Sequence, residues 1–97
     1  MELEELARKL EALGHPLRLS IIRVLAASEE MYLSQIAEQL GVSRALVKVH
    51  IKKLVKAGLV ETRLVLDKER GKALRYYKLR RFKIEVSPEK LLGGEHE

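Results

Sequence analysis

The stretch LSQIAEQLGVSRALVKVHIKKLVKAGLV, residues 33–60, decides how the rest of the chain is read. Two helical patterns lie in it. Ile36, Ala37 and Leu40 give the first an apolar stripe, and Val47, Ile51 and Leu54 give the second one at i, i+4 and i+7. Between them, Gly41 suits the left-handed position that closes a helix, and Ser43 suits the N-cap of the next. Ser34 is expected to cap the first helix in the same way. Gly58 ends the second near Ala57. Arg44, Ala45, Lys48, Val49 and Lys52 then lie away from the buried stripe, on a basic face free for a ligand.

Upstream, Leu3, Leu6, Leu10 and Leu13 alternate spacings of three and four on a helix of about residues 2–13 closed by Gly14. Such a seam packs on its own domain or forms half of a dimer interface, and the dimer is the expectation here. His15-Pro16 breaks the chain, with Pro16 in the first turn of a new helix and His15 at the junction. Leu17, Ile21, Val24 and Leu25 form that helix's apolar face, which ends near Ala27-Ser28. Glu29-Glu30-Met31-Tyr32 reads as a connector.

Downstream the period changes to two. Residues 59–66 and 73–79 read as two strands joined by Asp67-Lys68-Glu69-Arg70-Gly71-Lys72, a polar turn with glycine for positive φ. Tyr76 and Tyr77 fall on opposite strand faces, one in the core and the other free to stack on a neighbour. Phe82, Ile84 and Val86 also alternate and predict a third strand over about 81–86. Ser87-Pro88-Glu89 predicts the cap and first turn of a short helix, and Gly93 onward, with His96, a loose tail. The fold class is therefore α+β, mostly helical with a small hairpin, in the order α-α-α-α-β-β plus a short C-terminal strand and helix. Residues 1–86 form one domain with an N-terminal dimerisation helix, and 87–97 form the short helix and tail.

Charge sharpens the functional reading. Residues 1–40 carry a net −3 and 84–97 another −3, while 41–83 carry fourteen basic against three acidic residues, a net +11. The excess begins where the second helix begins and runs through the hairpin, which favours an anionic partner. The 97 residues suffice for one small domain with a modest core, so pairing to bury more surface is expected. No apolar run approaches the ~20 residues of a membrane span, and the acidic start is unlike a targeting peptide. Cytoplasmic residence is the expectation, with no membrane partner. There is no cysteine, which excludes disulfides and thiolate metal sites. Asn is absent and Glu, Lys and Arg abundant, a thermophile-like bias. No nucleophile–base pair, phosphate loop or metal-ligand cluster stands out, so neither an enzyme nor a cofactor is expected.

The major groove of DNA admits one α-helix, braced by a second, with its N-terminal turns reaching base edges. In that role Arg44 binds guanine with two hydrogen bonds, and Lys48 does the same or meets phosphate. Ala45 and Val49 suit thymine methyls, Ser43 caps its helix or bonds a phosphate, and Lys52 meets the backbone. Lys68, Arg70 and Lys72 of the hairpin reach the backbone or the adjacent minor groove. His50 is expected to be a partly buried structural residue beside the hairpin. The competing reading is a winged-helix adaptor that docks on protein or RNA without operator specificity.

Several motifs together resemble ArsR-type winged helix-turn-helix repressors. Gly14-His15-Pro16-Leu17-Arg18 through Ile21-Ile22-Arg23-Val24-Leu25 is similar to that family's second helix. Ser34-Gln35-Ile36-Ala37, Gly41-Val42-Ser43, His50-Ile51-Lys52-Lys53-Leu54 and Ala57-Gly58-Leu59-Val60 are similar to its reading head. Gly71 with Arg75-Tyr76-Tyr77-Lys78-Leu79 is similar to its wing. The likeness spans roughly residues 5–80, and the MarR and PadR groups share several pieces. It implies a homodimeric transcriptional regulator, a repressor on a palindromic operator, with Arg44, Ala45, Lys48 and Val49 where the family reads bases. Metal-sensing members carry cysteines on the helix matching 33–40, where this chain has Leu33, Ser34 and Gln35. The resemblance thus implies no thiolate sensor, and the effector is left unnamed.

Overall fold

A computed structural model describes residues 2–93 of the chain. The elements run α1 (Leu3–Leu13), α2 (Pro16–Ala26), β1 (Met31–Tyr32), α3 (Leu33–Leu40), α4 (Arg44–Lys56), β2 (Val60–Asp67), β3 (Lys72–Leu79) and α5 (Pro88–Leu91). The four main helices and the hairpin match the sequence expectation to within a residue or two.

Each boundary has a local cause. The Glu2 carboxylate accepts from the Glu5 N–H and opens α1, with Glu4 and Glu5 in a first turn that favours negative charge. The His15 ring caps α2, its Nδ1 accepting from the Leu17 N–H at 3.0 Å, with Pro16 as the first helical residue. Gly41 closes α3 at φ 67°, a conformation that costs other residues steric strain. Ser43 then opens α4, its Oγ accepting from the Leu46 N–H at 3.1 Å. Ser87 caps α5 through the Lys90 N–H.

The core lies where α2, α3, α4 and the root of the hairpin converge. Ile21, Leu25, Ile36, Val47, Ile51, Leu54, Leu59 and Val60 are all fully buried there. Tyr77 closes this core from the sheet, and burial pushes its phenol pKa up. Arg18 is the one buried charged side chain among the described residues. Its Nη1 donates to the Glu11 and Ala12 carbonyls at 3.1 and 3.2 Å, and its Nε donates to His50 Nδ1 at 3.2 Å. These bonds tie the C-terminal end of α1 to α2 and α4. Two more links tie α1 to the far end of α4. Lys9 Nζ donates to the Ala57 carbonyl at 3.0 Å, and Glu11 pairs with Lys53 at 3.7 Å.

Three expectations need correction. Phe82, Ile84 and Val86 form no strand. The sheet does have three strands, in the order β1-β3-β2, but the third is the two-residue β1, with Met31 opposite Tyr77 and Tyr32 opposite Tyr76. β1 occupies the open side of β3, so the chain after Leu79 has no edge there to pair with. Its period of two therefore has no partner strand behind it. That segment lies instead against α1, where Ile84 and Leu91 flank Leu6. Secondly, Ser34 is not the cap of α3. The helix already includes Leu33, and Tyr32 is the N-cap, its N–H donating to Gln35 Oε1 at 2.9 Å. Thirdly, His50 is partly buried but lies beside α2 rather than beside the hairpin, its ring 4.4 Å from that of His15.

The outer face of the sheet holds β1 in place. Arg63 donates to both carboxylate oxygens of Glu30, at 2.9 and 2.6 Å, and stands 5.5 Å from the Tyr76 ring centroid. The guanidinium beside Glu30 holds its carboxyl below the usual range. Tyr76 stacks on Tyr32 at 4.5 Å, and the two hydroxyls bond at 2.8 Å, which raises the Tyr76 pKa.

Candidate nucleic-acid interface

Burial of Val47, Ile51 and Leu54 fixes how α4 is rotated. Arg44, Ala45, Lys48, Val49 and Lys52 are consequently all exposed, Val49 at 60%. Ser43 is exposed as well, with its oxygen engaged in the cap and its hydroxyl proton free to donate. α3 packs behind α4, so the exposed face of α4 is a braced ridge.

The hairpin β2–β3, the wing, pairs in register from Val60 opposite Leu79 to Asp67 opposite Lys72. At its tip Asp67 Oδ1 accepts from the Glu69 and Arg70 N–H groups, and Gly71 takes φ 63°. Lys68, Arg70 and Lys72 are all exposed at this tip. Arg70 leans on Asp67 at 3.7 Å, while Lys68 has no ion-pair partner among the described residues.

α4 and the wing meet at a cleft of about 340 Å³. Arg44 and Lys48 line it from the helix, Arg70 and Arg75 from the wing, and Ser34 from the start of α3. The nine residues singled out for DNA thus fall on two neighbouring exposed surfaces, the face of α4 from its Ser43 cap to Lys52 and the wing tip. Arg75 and Ser34 were given no place there by sequence. For Arg75 the signal was available, since it stands two residues before the core residue Tyr77 and so shares its face of the sheet.

The four leucines of α1 divide. Leu3 and Leu10 are 64% and 41% exposed, whereas Leu6 is covered by the C-terminal segment and Leu13 packs on the core. Among the described residues no group of three or more His, Asp or Glu gathers at metal-holding distance, and no helix is long and apolar enough to cross a membrane. His96 and the tail residues 94–97 lie outside the described residues.

Residues 13–63 match the helix-turn-helix domain family. The chain is also 36% identical over 89 residues to an uncharacterised helix-turn-helix-type transcriptional regulator of Methanocaldococcus jannaschii, covering 92% of this chain and 90% of that protein. It belongs to the helix-turn-helix transcriptional regulators. Members of this group regulate transcription and are not enzymes. Among solved structures, this regulator is similar to the homodimeric winged helix-turn-helix DNA-binding domain of a possible ArsR-family regulator from Mycobacterium bovis. The TM-score is 0.69 and the identity 28%, over 79% of this chain and 65% of that one. It is also similar to the transcriptional repressor BigR of Xylella fastidiosa, with a TM-score of 0.66 and 25% identity over 81% and 74% of the two chains. The regulator is thus a DNA-binding winged-helix protein, with α3–α4 as its helix-turn-helix and β2–β3 as its wing.

Proposed function

We propose that this regulator binds duplex DNA sequence-specifically as a homodimer and acts as a repressor in the cytoplasm. α4 enters the major groove. Arg44 and Lys48 meet guanine or phosphate, Ala45 and Val49 meet thymine methyls, and Ser43 and Lys52 meet the backbone. Lys68, Arg70 and Lys72 carry the wing onto the backbone or into the adjacent minor groove. The observation that carries this reading is the joining of two exposed cationic surfaces across one cleft, on a helix rigidly braced from behind. Homodimerisation is supported by the homodimeric state of the similar Mycobacterium domain, and repression by the similarity to a repressor. The exposed Leu3 and Leu10, with Val86, Leu91 and Leu92 of the C-terminal segment, supply apolar surface for a second copy.

The test is a titration of duplex DNA and single-stranded RNA at two salt concentrations, with the wild type and Arg44→Ala/Lys48→Ala. The expected result is a preference for duplex that falls steeply with salt and is weakened in the double variant. Equal affinity for both nucleic acids, unchanged by the substitutions, would instead favour an adaptor.

A further inference from the structure

The cleft between α4 and the wing is electrostatically unbalanced. Arg44, Lys48, Arg70 and Arg75 line it, and no Asp or Glu does. Among the described residues Arg44, Lys48 and Arg75 have no ion-pair partner, and Arg70 has only its 3.7 Å contact with Asp67. Like charges gathered around one opening, with no acidic residue among them, attract an anion into it.

Arg75 holds the middle of this arrangement. It also lines a second cleft of about 320 Å³, which it shares with Lys48 and Lys52. Arg75 thus borders both clefts, and Lys48 lines each of them with it. Its Nη1 donates to Thr62 Oγ1 at 3.2 Å. Thr62 pairs with Tyr77, so it is Arg75's diagonal neighbour on the same face of the hairpin. That bond sets the direction of the guanidinium and leaves its other N–H donors free.

The geometry of DNA says what fills such a cleft, given the reading that α4 lies in the major groove and the wing in the adjacent minor groove. The sugar–phosphate strand that separates two adjacent grooves must pass between the elements occupying them. We propose that Arg75 is a DNA-backbone contact, clamping a phosphate of the strand that crosses the cleft between α4 and the wing, with Thr62 positioning its guanidinium. The contact is independent of base sequence. It fixes how deeply and at what angle α4 sits, and it adds to the counterions released on binding.

A mixed-sequence duplex of about two helical turns, fluorescently labelled, is the probe. Affinity is measured across a range of salt for the wild type, Arg75→Gln, Arg75→Lys and Thr62→Val, with melting temperature recorded for each. Arg75→Gln should lower the slope of log K against log salt by ~0.9 for each bound subunit. Arg75→Lys should restore the slope, and Thr62→Val should keep it while weakening affinity. Melting temperatures should stay close to wild type, since Arg75 is exposed. An Arg75→Gln slope equal to that of the wild type, or a loss not restored by lysine, overturns the assignment. A wild type whose affinity for the duplex does not depend on salt overturns the DNA reading as well, so the two failures are distinguishable.

Discussion

At the scale of single residues, Arg18 and His50 hold the helices in register. Arg18 is 8% exposed and satisfies two carbonyls at the end of α1 as well as His50 Nδ1. Arg18→Leu leaves these acceptors unpaired, at ~1–3 kcal/mol for each buried group, and should lower the melting temperature sharply. His50 accepts that bond only when Nδ1 is unprotonated. Burial, then electrostatic repulsion from the neighbouring His15, Arg18 and Lys53, holds its pKa below the ordinary 6.5. Glu11 faces the same junction but is engaged with Lys53. The fold thus favours neutral His50. This contribution to stability is complete above pH 6.5 and declines as pH falls below it, because the unfolded chain takes up a proton that the fold resists. His50→Gln keeps an acceptor and should flatten that part of a plot of melting temperature against pH. A His50→Gln profile as steep as the wild type's between about pH 7 and pH 5 would show that the histidine does not couple to folding. The sequence showed His15 as a junction residue because proline follows it. It did not show Arg18, since apolar periodicity assigns a charged residue to solvent and cannot register carbonyls at the end of another helix.

At the scale of elements, α4 combines a buried structural face with the face proposed to read DNA, and substitutions should separate them. Ser43→Ala removes the cap accepting the Leu46 N–H and should cost ~1 kcal/mol of stability, read from a denaturant melt. Arg44→Ala should leave stability almost unchanged and weaken a selected operator by ~1–3 kcal/mol while relaxing preference at one base position. Lys52→Ala should weaken all duplexes alike. Operator affinity and preference unchanged by Arg44→Ala would remove it from base reading. α3, α4 and the wing were legible because apolar stripes, the Gly41 stop, the Ser43 cap and a glycine turn agreed on them, although the cap of α3 was misplaced by two residues. β1 was not, because two residues cannot display a period. Its place depends on Tyr76, Arg63 and Glu30 meeting across the sheet, residues 46 to 13 positions apart. The alternation of Phe82, Ile84 and Val86 misled for the converse reason: it marks extended chain whether or not a neighbouring strand exists.

At the scale of the molecule, the subunit is elongated, 59 × 25 × 21 Å, with a Cα radius of gyration of 15.9 Å. A compact chain of this length has a radius of ~12.5 Å. An extended shape with Leu3, Leu10, Leu91 and Leu92 exposed leaves apolar surface for a second copy to cover. Leu6 is already covered by its own chain, so Leu3→Glu/Leu10→Glu is the more informative disruption than Leu6→Glu. Sedimentation at micromolar concentration should give the mass of two chains for the wild type and one for that variant. A wild type sedimenting as one chain removes this interface. α1 reaches α4 through Lys9, Arg18 and Glu11, near the reading helix's middle and end rather than its exposed N-terminal turns. In the proposed homodimer, pairing through α1 leaves Arg44 to Lys48 uncovered. The +11 block of the sequence spans both α4 and the wing, yet the cleft between them depends on the three-dimensional approach of wing and helix. Selection of bound duplexes from a random pool tests the central claim most directly. Enrichment of an inverted repeat, its half-sites about one helical turn apart, is the predicted result. Recovery of a pool without sequence preference would contradict it.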